Sequence, residues 1–582
     1  MPEVVTPTTE YDQLTHKLKT EREVGIAYQK RRHDQWDDNY TLYRDFVHIN
    51  RLTQRQAVNV PLMKETIKTL LAAIDDPPDI YFKNLDNDVE AEYVLNEYWL
   101  YEYTRVDMEG LDIQDKKNVL LYGRSFMKLN FFESKFAPEV LDPYDIVVDS
   151  KMKPGNLDSA RFLTHQNIYK PLQDIMNNDK YTTKGKKMLS QLMFSKQGLV
   201  LGGENQKALE QKIERLESLG ANEQRKIEDI LAGSDIIVSL TEHYTMQWNK
   251  KTKKFEKYVI VVAQDNIILY EETLKKTLGV DFWPFVTWAS DLDVSDVWTD
   301  GEADIVRVIN KVLNAWISQG TENRTLRNWG MRYYDTTKGF NPQSFTPEPW
   351  GWYPIPGNPN EIVKDMEIQS MSDALPEMDF LIRLIEKATA TPATEKGVAE
   401  KKQITLGEVE LIVGKATERV KGMAKFYRRA RRELADKWYK IVEANVAPSQ
   451  TMKLFKTSFK GNIFEREVSR RDWKSKAGYK VQVTSSSEQE EEKAIGIQRL
   501  LAIKAQFPDN PVLQKTLEKR LLEIADLTPE EIKEIMAFEE QKTQQALAPP
   551  PLPAPAATPP PEAVALRGKV EGLKQLATET IA

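Results

Sequence analysis

The chain has 582 residues, 41% of them apolar and 9% aromatic, which suffices for several cored units and excludes a wholly disordered protein. Lys and Arg number 81 against 88 Asp and Glu, a net charge of −7, so the chain as a whole is no coat for phosphate, and any DNA contact has to be local or weak. It contains no cysteine, which excludes disulfides, Cys-ligated zinc, iron–sulfur clusters and thiol nucleophiles.

The opening stretch MPEVVTPTTEYDQ carries neither a basic nor a long apolar run, so no secretory signal is expected. No run of about 20 apolar residues occurs, so no membrane span is expected either. Residues 9–48 read as one charged helix: Thr9 with Asp12 suits a capping pair, and Leu14, Leu18, Val24, Tyr28, Trp36, Tyr40, Tyr43, Phe46 and Val47 give a patchy stripe. Residues 61–74 form a cleaner helix, with Pro61 in its first turn and Asp75-Asp76-Pro77-Pro78 as its stop. Further helices are expected over 87–104 and 108–123, the second ending at Gly123. The period then changes. Phe126–Phe132 alternates as a strand, Glu139–Asp149 reads as strand, proline turn and strand, and 160–170 as extended. Residues 171–233 look helical and polar, with Leu209, Ile213, Leu216 and Leu219 spaced as an amphipathic hairpin. β structure returns over 235–298, with a hairpin turn at Asp265-Asn266.

Thr299-Asp300-Gly301-Glu302 reads as a capping box that opens a helix. In that helix Ile305, Val308, Ile309, Val312, Leu313, Trp316 and Ile317 mark one continuous apolar stripe. Across 328–368, Pro342, Pro347, Pro349, Pro354, Pro356 and Pro359 interleave with Trp350, Trp352 and Tyr353, which excludes a long helix and predicts short strands and turns. Helical spacing resumes over 372–389 through Leu375, Met378, Leu381, Ile382 and Ile385. The polar, glycine-interrupted 390–404 reads as a loop, 405–446 as a long helix, 452–484 as β and 488–542 as helical, with a helix start at Thr528-Pro529. The Pro/Ala-rich 546–562 reads as a disordered linker and 563–582 as a short terminal helix. The fold class is mixed α+β and helix-rich.

Catalytic motifs are missing: there is no P-loop, no G-x-G-x-x-G and no G-x-S-x-G. The histidines, His16, His33, His48, His165 and His243, lack metal-ligand spacing, and those of the N-terminal helix read as solvent-facing. Asp142, Asp145 and Asp149 could hold a divalent cation, but the plainer reading is turn chemistry around Pro143. Asp291, Asp293, Asp296 and Asp300 miss the EF-hand pattern and read as a solvated loop. Two basic segments, Arg428, Arg429, Arg431 and Arg432, and Arg470, Arg471, Lys474, Lys476 and Lys480 around Trp473, could touch phosphate. The plainer reading is a solvated face, or pairing with the acidic run at 488–492. No catalytic residue, metal or cofactor is assigned.

The order of elements, with three stretches in particular, resembles tailed-bacteriophage portal proteins, the head-to-tail connectors. These stretches are QAVNVPLMKETIKTLLAAIDDPPDIYF (56–82), NVLLYGRSFMKLNFFESKFAPEVLDPYDIVVD (118–149), and LTEHYTMQW with PFVTWASDLDVSDVWTDGEADIVRVINKVLNAWISQGTENR (284–324). The resemblance spans about 50–545. It implies a multidomain subunit of wing, stem, clip and crown in a ring with an axial channel. The parts would be an N-terminal helical arm (1–55), a wing α/β region (56–298) with a helical insert near 171–233, a first stem helix (299–327), and a clip (328–370). A second stem helix (371–389), a tunnel loop (390–404), a long wing helix with a β segment (405–487), a helical crown (488–545) and a Pro/Ala-rich disordered tail (546–582) would follow.

The resemblance further implies a dodecameric ring at one capsid vertex, assembled in the host cytoplasm, through which double-stranded DNA is packaged and ejected. Its partners would be the terminase large subunit, a head–tail adaptor and tail proteins, the major capsid protein and a scaffolding protein, with no membrane and no enzyme activity. Lys396, Lys401 and Lys402 on the tunnel loop would face DNA, and Trp350, Trp352 and Tyr353 in the clip would anchor the motor and tail. Two other readings stand beside this one: a metal-dependent nuclease or other hydrolase using Asp142, Asp145 and Asp149 with Mg²⁺, and a generic capsid-associated helical adaptor.

Overall fold

Two helices open the chain where one was expected. Helix α1 (Glu10–Lys30) and α2 (His33–Tyr43) are separated by a break at Arg31 and Arg32. The break has a packing cause. Helix α1 buries Leu18 against Ile260, Val262 and Ile268, whereas α2 buries Trp36, Asn39 and Leu42 elsewhere, and one straight helix cannot serve both targets. The computed structural model describes residues 10–45, 58–74, 78–132, 135–195, 237–328, 332–339, 357–358, 363–365, 374–389, 406–447, 451–457, 463–485, 496–504 and 516–521. The chain divides into two compact units, 1–489 and 490–582.

In the first unit, α3 (Leu62–Ile74) buries Met63, Ile67, Leu70 and Ile74, the row that a 3.6-residue period places on one side. Strand β1 (Pro78–Asn84) follows. Helix α4 (Val89–Arg105) starts where the Asp88 carboxylate accepts the Glu90 and Ala91 N–H groups. Helix α5 (Met108–Tyr122) ends at Gly123, whose φ of +85° is the left-handed cap expected there.

Strands β2 (Arg124–Phe132), β3 (Lys135–Leu141), β4 (Ile146–Val148) and β5 (Phe162–Pro171) lead to helices α6 (Leu172–Asn177) and α7 (Thr183–Ser195). Strands β6 (Ile237–Asn249), β7 (Lys254–Ala263) and β8 (Ile267–Thr273), a single turn α8 (Leu274–Thr277) and β9 (Phe285–Ala289) complete two antiparallel sheets, ordered β3-β2-β9 and β4-β5-β6-β7-β8. Then come α9 (Glu302–Asn328), the short pair β10 (Arg332–Tyr334) and β11 (Val363–Asp365), α10 (Ala374–Thr389) and the long α11 (Leu406–Asn445). A hairpin of β12 (Thr451–Thr457) and β13 (Ile463–Ser469) precedes β14 (Tyr479–Ser485), which returns to pair with β1. In the second unit, 496–504 and 516–521 are helical, and Lys504 pairs with Glu518 at 2.6 Å. The hairpin expected around Leu209–Leu219 and the tail at 546–582 lie outside the described residues.

Two large cores organise the first unit. One gathers α2, α3 and the start of α9 beneath the five-stranded sheet around Trp36, Trp283 and Trp298. The other packs Trp438 of α11 against the rings of Phe82, Tyr98 and Trp99. The basic segment 470–480 keeps Arg471, Lys474, Lys476 and Lys480 exposed, as a solvated face requires, while the tryptophan among them closes this second core. Trp473 is fully buried, and the Asp86 carboxylate accepts from the Ser475 hydroxyl and from the Lys476 and Ala477 N–H groups.

In the other basic segment Arg429 and Arg432 are exposed on a solvated face, and Arg431 is the exception. Arg431 is neither a phosphate contact nor solvated: it is 1% exposed and ion-paired with Asp112 and Asp115 of α5. Asp115 also accepts the Trp288 indole N–H at 2.7 Å, and Tyr103 donates to Asp112 at 3.2 Å. Burial works against the Arg431 charge, and the carboxylates outweigh it, so the guanidinium is held well above its ordinary value. A second charged set ties the sheets together. Lys128 of β2 lies 2.6 Å from Glu242 of β6 and 3.2 Å from Nδ1 of His165. Burial pushes the Glu242 carboxyl up, but Lys128 and His165 outweigh it and hold it down to about 2.

Breaking a buried ion pair from one side costs about 3–5 kcal/mol, because the remaining charge stays buried without its partner. Arg431→Met is expected to destabilise the first unit by about that much, measured by urea unfolding. A loss below about 1 kcal/mol would show that the charge cluster is dispensable.

Candidate functional site

The long helix α9 is placed by a close backbone approach. A Cβ on Gly301 would sit 2.7 Å from the Leu120 carbonyl oxygen, and one on Gly123 would collide with the Thr299 carbonyl. Glycine at both positions lets the end of α5 and the start of α9 meet. The expected capping box is not built from Thr299. Its hydroxyl is buried and donates to the Gly123 carbonyl at 3.2 Å, while the Asp304 carboxylate reaches back to accept the Gly301 N–H at 3.0 Å.

Helices α1 and α2 grip the same place. The Tyr28 hydroxyl donates to Asp296 at 2.6 Å and accepts the Val297 N–H at 3.0 Å. Arg32 donates to the Thr299 carbonyl at 3.0 Å and pairs with Asp300 at 2.6 Å. Asn39 donates to both the Leu121 carbonyl and Asp304. The aspartates expected on a solvated loop are therefore partly committed: Asp296 and Asp300 anchor the N-terminal helices.

Helix α9 presents three different sides. Val306, Ile309, Leu313 and Ile317 pack into the core. A polar row at spacing four faces the segment that leads into α3 and the first turn of that helix. Asn310 accepts the Met63 N–H at 3.1 Å, Asn314 the Val60 N–H at 2.9 Å, and the Ser318 hydroxyl the Val58 N–H at 3.0 Å. The third side is apolar and uncovered: Ile305, Val308 and Val312 are exposed, Val308 by 60%. Thus the single stripe read from sequence splits into a buried row and a bare one. Helix α10 packs alongside α9 and repeats the division. Met378, Leu381, Ile382 and Ile385 join the core, while Phe380 is 65% exposed and Leu384 is exposed beside it. Two apolar rows with no cover among the described residues suit contact with another protein surface.

Residues 128–579 match the family model described as phage SU10 portal protein, well over half of the chain. The chain belongs to this portal protein family. No curated protein matches it. A portal protein is a structural component of the phage, located at a capsid vertex of the virion. Among the described residues no helix is long and apolar enough to cross a membrane.

Several residues singled out in the sequence take other positions in this portal protein. Asp142 caps the Tyr144 N–H at 3.0 Å, Asp145 accepts from Asn167 at 2.7 Å, and Asp149 is paired with Arg161 at 2.8 Å. Burial raises the Asp149 carboxyl, but Arg161 and the neighbouring N–H groups outweigh it and hold it below its ordinary value. Asp142 shapes the turn around Pro143, as the plainer reading had it, whereas Asp145 ties that turn to β5 and Asp149 also accepts the Lys151 N–H. Among the described residues no cluster of three or more His, Asp or Glu could hold a metal ion. His165 and His243 are buried, and burial holds the His243 ring down to about 3. His33 is not simply solvent-facing, since its ring centroid lies 4.7 Å from that of Tyr144. Trp350, Trp352, Tyr353, Lys396, Lys401 and Lys402 lie outside the described residues, as does His48.

The polar row of Asn310, Asn314 and Ser318 was not read from the sequence. Its signal was there: three small polar side chains four apart on a helix otherwise scored only for its apolar positions. Asn314→Ala leaves the half-buried Val60 N–H without its acceptor. Such a loss costs about 1–3 kcal/mol, and Asn314→Ala is expected to lower stability within that range in denaturant unfolding. Asn314→Asp, which keeps the acceptor, should recover most of it.

Proposed function

We propose that this portal protein forms a closed dodecameric ring at one capsid vertex, assembled in the host cytoplasm, through which double-stranded DNA is packaged and later ejected. The observation that carries the reading is the uncovered apolar side of α9 and α10 in a chain of portal family. Each subunit would bury one side of this helix pair in its own core and the other against the next copy. That is a heterologous contact, which closes into a ring when its rotation allows. Helices α9 and α10 serve as the stem in this reading, and α11 with the two sheets as the wing. The segment 328–370 is the clip, which docks the terminase large subunit and later the head–tail adaptor and tail through Trp350, Trp352 and Tyr353. The segment 488–545 would be the crown, and the major capsid protein would surround the ring.

The charge balance suits a conduit. Phosphate contacts give affinity at every register, so a strongly basic bore would hold DNA still. An acidic chain of net charge −7 with Lys396, Lys401 and Lys402 on the loop 390–404 would touch the duplex and release it.

Two measurements test the proposal. Val308→Lys with Phe380→Lys should abolish rings with an axial hole in negative-stain images, while the subunit's melting temperature stays within about 2 °C, since both sites are exposed. Intact rings in that variant would remove α9 and α10 from the interface, and a wild-type chain that stays monomeric at micromolar concentration would remove the ring. Separately, Lys396→Glu, Lys401→Glu and Lys402→Glu together should leave ring and prohead intact but reduce the packaged genome, by repulsion in a confined bore. Normal packaging and infectivity would place the loop away from DNA.

A further inference from the structure

The sheet β4-β5-β6-β7-β8 continues past the core that covers it. On one of its sides the cross-strand pairs run Tyr244 with Val259, Met246 with Lys257, and Trp248 with Phe255. The first pair is buried, and Met246 packs against the same core. Among the described residues nothing covers the last pair: Trp248 is 54% exposed and Phe255 65%, their rings edge to face at 5.2 Å. The core-facing side of the hairpin thus ends in two bare aromatic rings.

The turn beyond them is basic and held in shape. Residues 249–254 read Asn-Lys-Lys-Thr-Lys-Lys. The Asn249 carboxamide oxygen accepts the Lys251 N–H at 2.9 Å, and the Lys253 N–H closes on the Asn249 carbonyl at 2.9 Å. Glu256, the nearest acid on β7, accepts from Asn249 and Thr252. What fits such a tip is an acidic surface that also carries apolar side chains.

The chain itself has one. The loop from β1 into α4, Leu85-Asp86-Asn87-Asp88-Val89-Glu90, exposes Leu85 and Val89 by more than half each, among three carboxylates. It is rigid for the reasons already given: Asp86 is tied to 475–477 and Asp88 caps α4. The hairpin and the loop belong to different sheets and different cores. We infer that the β6–β7 tip of one copy docks on the 85–90 loop of a neighbouring copy, Trp248 and Phe255 against Leu85 and Val89, with the lysines over Asp86, Asp88 and Glu90. This rests on the ring proposed above and adds a second contact to it, away from α9 and α10. The contact is smaller than the roughly 800 Å² per partner of a standard interface, so it supplements the helix contact and does not replace it.

The absence of cysteine gives a clean test. Full-length chain carrying only Val89→Cys is mixed with full-length chain carrying only Trp248→Cys and then oxidised. Covalent dimers are expected from the mixture and not from either variant alone, and a chain carrying both substitutions should give a ladder of higher species. A charge exchange supplies the second measurement. Lys250→Glu with Lys251→Glu should raise the ring's dissociation midpoint about tenfold, the scale of one lost interface anchor. Adding Asp88→Asn and Glu90→Lys should restore it, whereas Asp291→Lys with Asp293→Lys, on the other acidic loop, should not. Intact rings without cross-linked dimers overturn this contact and leave the ring standing. Dimers from a chain that forms no ring support the contact and overturn the ring. Rescue by the 291/293 pair, or loss of DNA binding with ring stability unchanged, also overturns the inference.

Discussion

A guanidinium keeps its charge at every working pH, so Arg431 enters the interior of the first unit as a cation that has to be matched there. The match comes from Asp112 and Asp115, one helical turn apart on α5, and Trp288 of β9 satisfies the carboxylate from the far side. One residue of α11 thereby fixes α5 against both α11 and the three-stranded sheet. The consequences run outward in order. The position of α5 sets that of Gly123, Gly123 abuts Gly301, and Gly301 sets where α9 begins. The bare rows on α9 and α10 are offered to solvent in a direction that this buried charge helps to choose.

Much of the backbone was legible because period and punctuation are local properties. Helices α3, α5 and α10 and strands β2, β6 and β7 carried their own spacing, and Gly123 announced the end of α5. The errors share a different cause. The break at Arg31 and Arg32, the burial of Arg431, and the splitting of the α9 stripe are each decided by a partner far away in sequence. An arginine run on a long helix reads as solvated until something places two carboxylates opposite one member of it. Likewise, seven apolar residues on α9 look like one face, because spacing does not say how many neighbours the helix has. Of the candidate site, helices α9 and α10 were legible, and their bare side was not.

The part of the chain before the family match does structural work for the part within it. Tyr28, Arg32 and Asn39 hold the start of α9, and Asp112 and Asp115 receive Arg431, while the matched stretch begins only at residue 128. These contacts are polar and directional, made by side chains with defined donors to defined acceptors. They act on orientation, while the burial of Trp36, Trp283 and Trp298 supplies the greater part of the binding between the same elements.

The Asn310, Asn314 and Ser318 row has an evolutionary consequence. Its acceptors meet the main-chain N–H groups of Val58, Val60 and Met63, and a main-chain donor is the same whatever side chain accompanies it. The row therefore tolerates sequence drift in the segment it binds, with one exception. Proline has no N–H to offer, so it is barred from those three positions on hydrogen-bonding grounds alone. The segment Val58-Asn59-Val60-Pro61-Leu62-Met63 does contain a proline, and it stands between two rungs, at a position whose donor the row does not use.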